Sequence, residues 1–155
     1  QVKNVIINMP KNSNEEYFEL SVNGKLISDI GNIKFGEIYS NSSELSENSS
    51  ISIRCSSGTN YGNSIAIGIY NNAKAGEIIL DATSANSGYI NIGINDNGEN
   101  GYPEYYHIGE TDSVKINIIT IGKQGTFIEG TFEGTMSNEN KKINISGKFK
   151  IRRLM

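Results

Sequence analysis

Chemistry in this chain has few residues to draw on: one histidine (His107), one cysteine (Cys55) and no tryptophan. A hydroxyl or thiol nucleophile needs a base within hydrogen-bond reach, and His107 is the sole imidazole. It lies in Tyr102-Pro103-Glu104-Tyr105-Tyr106-His107-Ile108, a stretch read as a loop packed on the end of the fold. Zinc takes three or four His, Cys or carboxylate ligands, and one His with one Cys is a poor start. Glu129 and Glu133 share a parity in a strand-like run. Four residues along a strand span about 13 Å, beyond either carboxyl separation used in glycoside hydrolysis, so the pair reads as a solvated face. Cys55 falls on the apolar parity of Ile51-x-Ile53-x-Cys55 and reads as a buried small hydrophobe, with Arg54 on the opposite face. The expectation is a protein without catalytic residues or cofactor, and not an enzyme.

Two weaker chemistries remain. The segment 95–100, Asn-Asp-Asn-Gly-Glu-Asn, has the composition of a calcium loop, with Asp96 and Glu99 as candidate ligands. It lacks the ligand spacing and distal bidentate Glu of an EF-hand. Contact chemistry is better supported. The connection from Asn95 to Glu110 is the longest stretch without alternation, and tyrosine gives rigid amphipathic contact area at low entropy cost. Tyr102, Glu104, Tyr105, Tyr106 and His107 are therefore the candidate ligand-binding set. The competing reading has Tyr105 and Tyr106 capping the open end of the core.

Charge narrows the partners. Charged residues make up 20% of the chain, the net charge is -3, and Lys and Arg are scattered, so neither a nucleic-acid groove nor a polybasic membrane patch is indicated. No run of eighteen apolar residues offers a membrane span. Glycine-rich stretches fall between strands and not before helices, which leaves no dipole-backed phosphate cradle. The chain begins at Gln1, as expected of a processed, exported product.

The elements that must position these side chains are strands. Phe18/Leu20/Val22, Ile51/Ile53/Cys55, Ile65/Ile67/Ile69, Ile90/Ile92/Ile94, Val114/Ile116/Ile118 and Ile143/Ile145/Phe149/Ile151 repeat a period of two. Asn23-Gly24 is a hairpin signal that should return Lys25–Ser28 antiparallel. Asn, Gly and Ser clusters at intervals near ten residues complete the pattern of an all-β fold with negligible helix. The expected architecture is one domain over residues 1–155, an antiparallel β-sandwich of jelly-roll or immunoglobulin-like type. In Gly125-Thr-Phe-Ile-Glu-Gly-Thr-Phe-Glu-Gly-Thr-Met136, Ile128, Phe132 and Met136 share a parity that Phe127 breaks. A bulge near Gly125 or Gly130 is expected to return Phe127 to the core. The core is expected to gather Ile53, Cys55, Ile67, Ile92, Ile116, Phe132, Ile145 and Phe149.

The order EYFELSVNGKLIS, AGEIILDATS, DSVKINIITI, FIEGTFEGTM and KKINISGKFKI resembles the small secreted lipoproteins of Bacteroidetes grouped as domains of unknown function, over roughly residues 16–151. The resemblance implies a β-sandwich exported through a lipoprotein signal and tethered at the cell surface or outer membrane by a lipidated cysteine, here expected upstream of Gln1. Leu26 and Ile27 stand where that group often has an aromatic after V-N-G-K. The group carries no established catalytic residues to transfer. Asp112-Ser113-Val114 also matches the short O-glycosylation acceptor of such exported proteins.

The functional expectation is a non-catalytic exported binding or accessory module that meets a glycan, peptide or protein partner through its end loops. The alternative is a structural or assembly subunit, homo- or hetero-oligomeric, packing through strand edges or sheet faces. Absence of tryptophan weakens a glycan site, although tyrosine can serve.

Overall fold

The computed structural model describes residues 16–40, 46–96 and 101–154, and it is all-β. Among the described residues eleven strands run in chain order: β1 (Tyr17–Val22), β2 (Lys25–Leu26), β3 (Ile33–Tyr39), β4 (Ser50–Ser56), β5 (Ser64–Ile69), β6 (Gly76–Asp81), β7 (Gly88–Ile94), β8 (Glu104–Tyr106), β9 (Ser113–Ile121), β10 (Phe127–Ser137) and β11 (Lys142–Arg152). They form two antiparallel sheets packed as a β-sandwich, one ordered β2-β1-β11-β10-β9-β6 and the other β3-β4-β5-β7-β8.

Alternation dictates this packing. Each strand except β2, whose two residues are exposed, commits one parity to the interior, and the expected core set from Ile53 to Phe149 is buried in a single cluster with Cys55 among it. Phe18 stacks on Phe132 and Phe149, with ring centroids 5.7 Å and 6.0 Å away. The Asn23-Gly24 hairpin forms with φ of 50° and 80°, the left-handed pair such a turn requires, although its return strand pairs only over Lys25 and Leu26.

Space, more than twist, explains the glycines of the C-terminal hairpin. Gly130 faces Phe149 and Gly147 faces Phe132 across the β10–β11 register. A Cβ on Gly130 would stand 2.6 Å from Phe149 Cζ, and one on Gly147 would stand 2.2 Å from Phe132 Cζ. Each ring thus lies over a neighbouring backbone that has no side chain, a cross-strand arrangement in which the aromatic covers the glycine. The register against β9 does slip between Glu129 and Gly130. That bulge does not turn Phe127 inward as expected. Phe127 stays on the outer face, half-buried beneath Lys150 at 4.8 Å and Arg152 at 4.9 Å, because its register with β11 is unbroken.

Both edges of the five-stranded sheet are tied to the other sheet. At β3, Gly36 bridges Arg153, and the Leu154 amide donates to the Gly36 carbonyl at 2.8 Å. At the opposite edge, His107 and Ser137 exchange backbone hydrogen bonds of 3.0 Å and 2.9 Å. These ties hold β3 and β8, the two rims of the site described next, at fixed positions.

Candidate functional site

The outward faces of the two sheets differ in kind. On the six-stranded sheet, opposite charges meet directly: Lys115 with Glu133 at 3.1 Å, Lys148 with Glu19 at 3.7 Å, Lys150 with Glu129 at 3.7 Å and Arg152 with Glu16 at 3.3 Å. Glu129 and Glu133 belong to this lattice of pairs. The five-stranded sheet instead turns mostly uncharged side chains outward, small, apolar and polar, with Glu37 and Arg54 the charges among them.

Register alone builds that second face. One row crosses all five strands as Ile33–Ser56–Ser64–Gly93–Tyr105, each residue directly opposite the next. The adjacent row runs Phe35–Arg54–Ala66–Asn91. The large apolar residues stand at the rims, Ser, Ala and Gly form most of the floor, and Arg54 and Asn91 stand on it, so the face is a groove of about 340 Å³. That is the lower end of the size range of small-ligand sites. Four strand spacings separate β3 from β8, a width of about 19 Å.

The rims are exposed apolar surface. Phe35 is 46% exposed and Tyr105 64%. Tyr105 lies against the β7 backbone, where a Cβ on Gly93 would be 3.0 Å from its Cε1. Glycine there lets the ring rest on the sheet while its remaining surface faces solvent. Tyr89 uses Gly68 in the same way one strand inward, and a second hollow of about 560 Å³, lined by Tyr39, Ser50, Tyr70 and Asn86 among others, opens at that end.

The five candidate contact residues do not act as one cluster. The segment expected to be a loop contains β8, and its alternation separates them. Tyr105 lines the groove. Tyr106 points inward, is 4% exposed and belongs to the core, so the capping reading holds for Tyr106 and not for Tyr105. Its hydroxyl donates to Glu104 Oε2 at 2.8 Å, and Lys141 Nζ reaches the same oxygen at 2.8 Å. Burial, then the Glu104 carboxylate, raises the Tyr106 phenol, while Lys141 and Tyr106 hold Glu104 below the ordinary carboxylate range. Glu104 is therefore a tie between β8 and the β10–β11 turn. Tyr102 stands at the sandwich end, edge-on to Tyr61 with centroids 4.8 Å apart. His107 is exposed beside a separate hollow of about 220 Å³ that it shares with Asp81 and Tyr89.

No hydroxyl or thiol is hydrogen-bonded to the His107 ring among the described residues, and none of their His, Cys, Asp and Glu side chains cluster as a metal site. Asp96 is exposed at the end of its segment, and Glu99 lies outside the described residues. Cys55 sits under the groove floor, and burial pushes its thiol up to about 12, which removes it as a nucleophile near neutral pH. Asp112, before Ser113, is buried. Desolvation would raise it, but the Gly109 amide that donates to Oδ2 at 2.9 Å, together with the nearby Ser137 and Thr135 hydroxyls and the Lys142 ammonium, favours the charged form and holds it low. Its Oδ1 faces Lys142 Nζ at 3.3 Å as an ion pair without a geometrically sound hydrogen bond. The acidic residue of the acceptor-like motif therefore has a structural task, while Ser113 is exposed. No helix of the described residues is long and apolar enough to cross a membrane.

Sequence reasoning missed Ile33, Phe35 and Arg54 as site residues. The available signal was in Ile33-Lys-Phe-Gly-Glu-Ile-Tyr39, where the aromatics fall on the parity opposite the inward Gly36 and Ile38. No protein-family model, curated protein or solved structure matches the chain.

Proposed function

We propose that the protein is a non-catalytic binding module whose ligand lies across the outer face of the five-stranded sheet, and that this ligand is a glycan. The reading rests on one observation: a groove with a floor of Ser56, Ser64, Ala66 and Gly93 between exposed rims at Phe35 and Tyr105. Aromatic surface with a wet polar edge suits a sugar, whose ring has an apolar face and a hydroxyl perimeter. Phenylalanine and tyrosine supply here the platforms that tryptophan would otherwise give. Tyr105 carries over from the loop reading, and the binding surface moves from the end loops to the sheet. Export and attachment at the cell surface remain part of the proposal, supported by the resemblance of the strand and turn motifs.

An assembly subunit that packs through strand edges, as against one that packs through sheet faces, would offer a free edge for another strand. At β3 the Gly36 carbonyl is already taken by Leu154, which disfavours that edge. The test is a printed oligosaccharide panel followed by calorimetric titration of the best binder. Phe35→Ala and Tyr105→Ala should each weaken binding about tenfold or more while moving the melting temperature by no more than about 2 °C, since both side chains are surface groups. Binding that survives both substitutions would remove the sheet face as the site.

A further inference from the structure

We infer that the groove selects an acidic sugar, with a carboxylate or sulfate seated on Arg54. The inference rests on the sheet-face reading above and specifies its ligand chemistry. The outward positions of β3, β4, β5, β7 and β8 carry two charges, Glu37 and Arg54. Arg54, like Lys25, Lys34, Lys74 and Lys123 elsewhere, enters none of the ion pairs of the described residues, and of these cations it alone stands at an outward position of this sheet. Its direct cross-strand neighbours are Phe35 and Ala66, which offer no acceptor. Glu37 is diagonal to it across the β3–β4 pair, about 7 Å away at the Cβ atoms, and forms no ion pair with it.

A guanidinium with five donors, held between apolar neighbours in a groove, is matched by a planar or multi-oxygen anion that accepts two hydrogen bonds at once. Tyr105 and Phe35 then bracket the sugar rings on either side of that anchor.

The face favours a sugar over an acidic peptide. Peptides that add main-chain hydrogen bonds need an open strand edge. On this face, β4, β5 and β7 have both neighbours, so their ladder groups are engaged and only side chains remain for recognition. Ser56, Ser64 and Asn91 supply the hydroxyl and amide partners that sugar hydroxyls use.

The test uses uronate-, sialate- and sulfate-bearing oligosaccharides, each beside its carboxyl-reduced or desulfated counterpart, with an Asp/Glu hexapeptide as a further arm. An acidic sugar should bind, and its neutral counterpart should bind at least about tenfold more weakly. Arg54→Gln should abolish that preference with an unchanged melting temperature. Tyr105→Ala should weaken both members of the pair, and Glu37→Gln should strengthen the acidic one. Which counterpart loses affinity separates carboxylate from sulfate. Equal binding of acidic and neutral sugars, or acidic binding that survives Arg54→Gln, would overturn the inference and leave the sheet-face reading standing. Preference for the hexapeptide would overturn both the acidic-sugar inference and the glycan assignment. Failure of the whole panel would remove the inference and the glycan reading together.

Discussion

If Gly130 is glycine because Phe149 needs the space above it, enlarging the glycine and shrinking the ring must not be independent. Gly130 has no positive φ, so its requirement is not conformational. A Cβ there would meet Phe149 Cζ at 2.6 Å and the Asn117 carbonyl at 2.7 Å. Overpacking of this kind costs about 1–3 kcal/mol, from which less than 1 kcal/mol is recovered by the stiffer unfolded chain. At this chain length the net cost corresponds to a fall in melting temperature of up to about 10 °C for Gly130→Ala. Phe149→Leu vacates the position of Cζ, so in the double variant the ring part of the clash disappears and the carbonyl part remains. Urea unfolding of the wild type, both single variants and the double closes the cycle, with constant slope as the check that only stability has changed. The double should be less destabilised than the sum of the singles by about 1 kcal/mol or more. Gly125→Ala is the control. Gly125 has φ of 83° and no atom within 4 Å, so its cost is backbone strain of about 1–2 kcal/mol and should be indifferent to Phe149→Leu. Additivity of Gly130→Ala and Phe149→Leu within about 0.5 kcal/mol would refute the ring-over-glycine account.

Further outcomes follow from the same geometry. Tyr106→Ala should lower the melting temperature by about 6–20 °C, from a core-truncation cost of about 3–5 kcal/mol, whereas Tyr105→Ala should leave it nearly unchanged; similar losses at both would place Tyr105 in the core. Cys55 should resist a thiol reagent at pH 8 in the native protein and react on unfolding. Its folded-state thiol is raised by burial to about 12 from 9.0, so the unfolded chain loses its proton first, and the wild type should lose stability between about pH 9 and 12 more steeply than Cys55→Ala does. Asp112 shifts the other way. Its depressed folded-state carboxyl stabilises the fold above the unfolded value of about 4, and that contribution is lost as pH falls through the folded value, so Asp112→Asn should destabilise the protein at pH 7 and flatten the acid limb of its stability profile. An unchanged acid limb would mean that Asp112 is not held in its charged form.

What could be read from the chain and what could not divide along the line between local and non-local information. Period-two alternation is local, and it located the core faces of β1, β4, β5, β7, β9 and β11 because each buries one parity of Ile, Phe and Leu. It failed to single out β3, whose inward positions are Lys34, Gly36 and Ile38 while its large side chains face out. A strand of that composition looks like an interrupted core strand until its neighbours are known, yet the inversion is what makes a rim of Ile33 and Phe35. The tyrosine-rich segment was misjudged for a related reason. Tyr105, Tyr106 and His107 are adjacent in the chain, but a strand sends neighbours to opposite faces, so a shared contact surface for all three was excluded once β8 formed. Strand order decides the rest. Gly130 and Phe149, Gly147 and Phe132, Gly68 and Tyr89, and Gly93 and Tyr105 are cross-strand partners, and each glycine gains its meaning from the ring opposite. In the interior the pairing lets three phenylalanines stack between the sheets. On the outer face the same device lays Tyr105 on the sheet with its free surface toward solvent, which turns a packing solution of the fold into the rim of a groove.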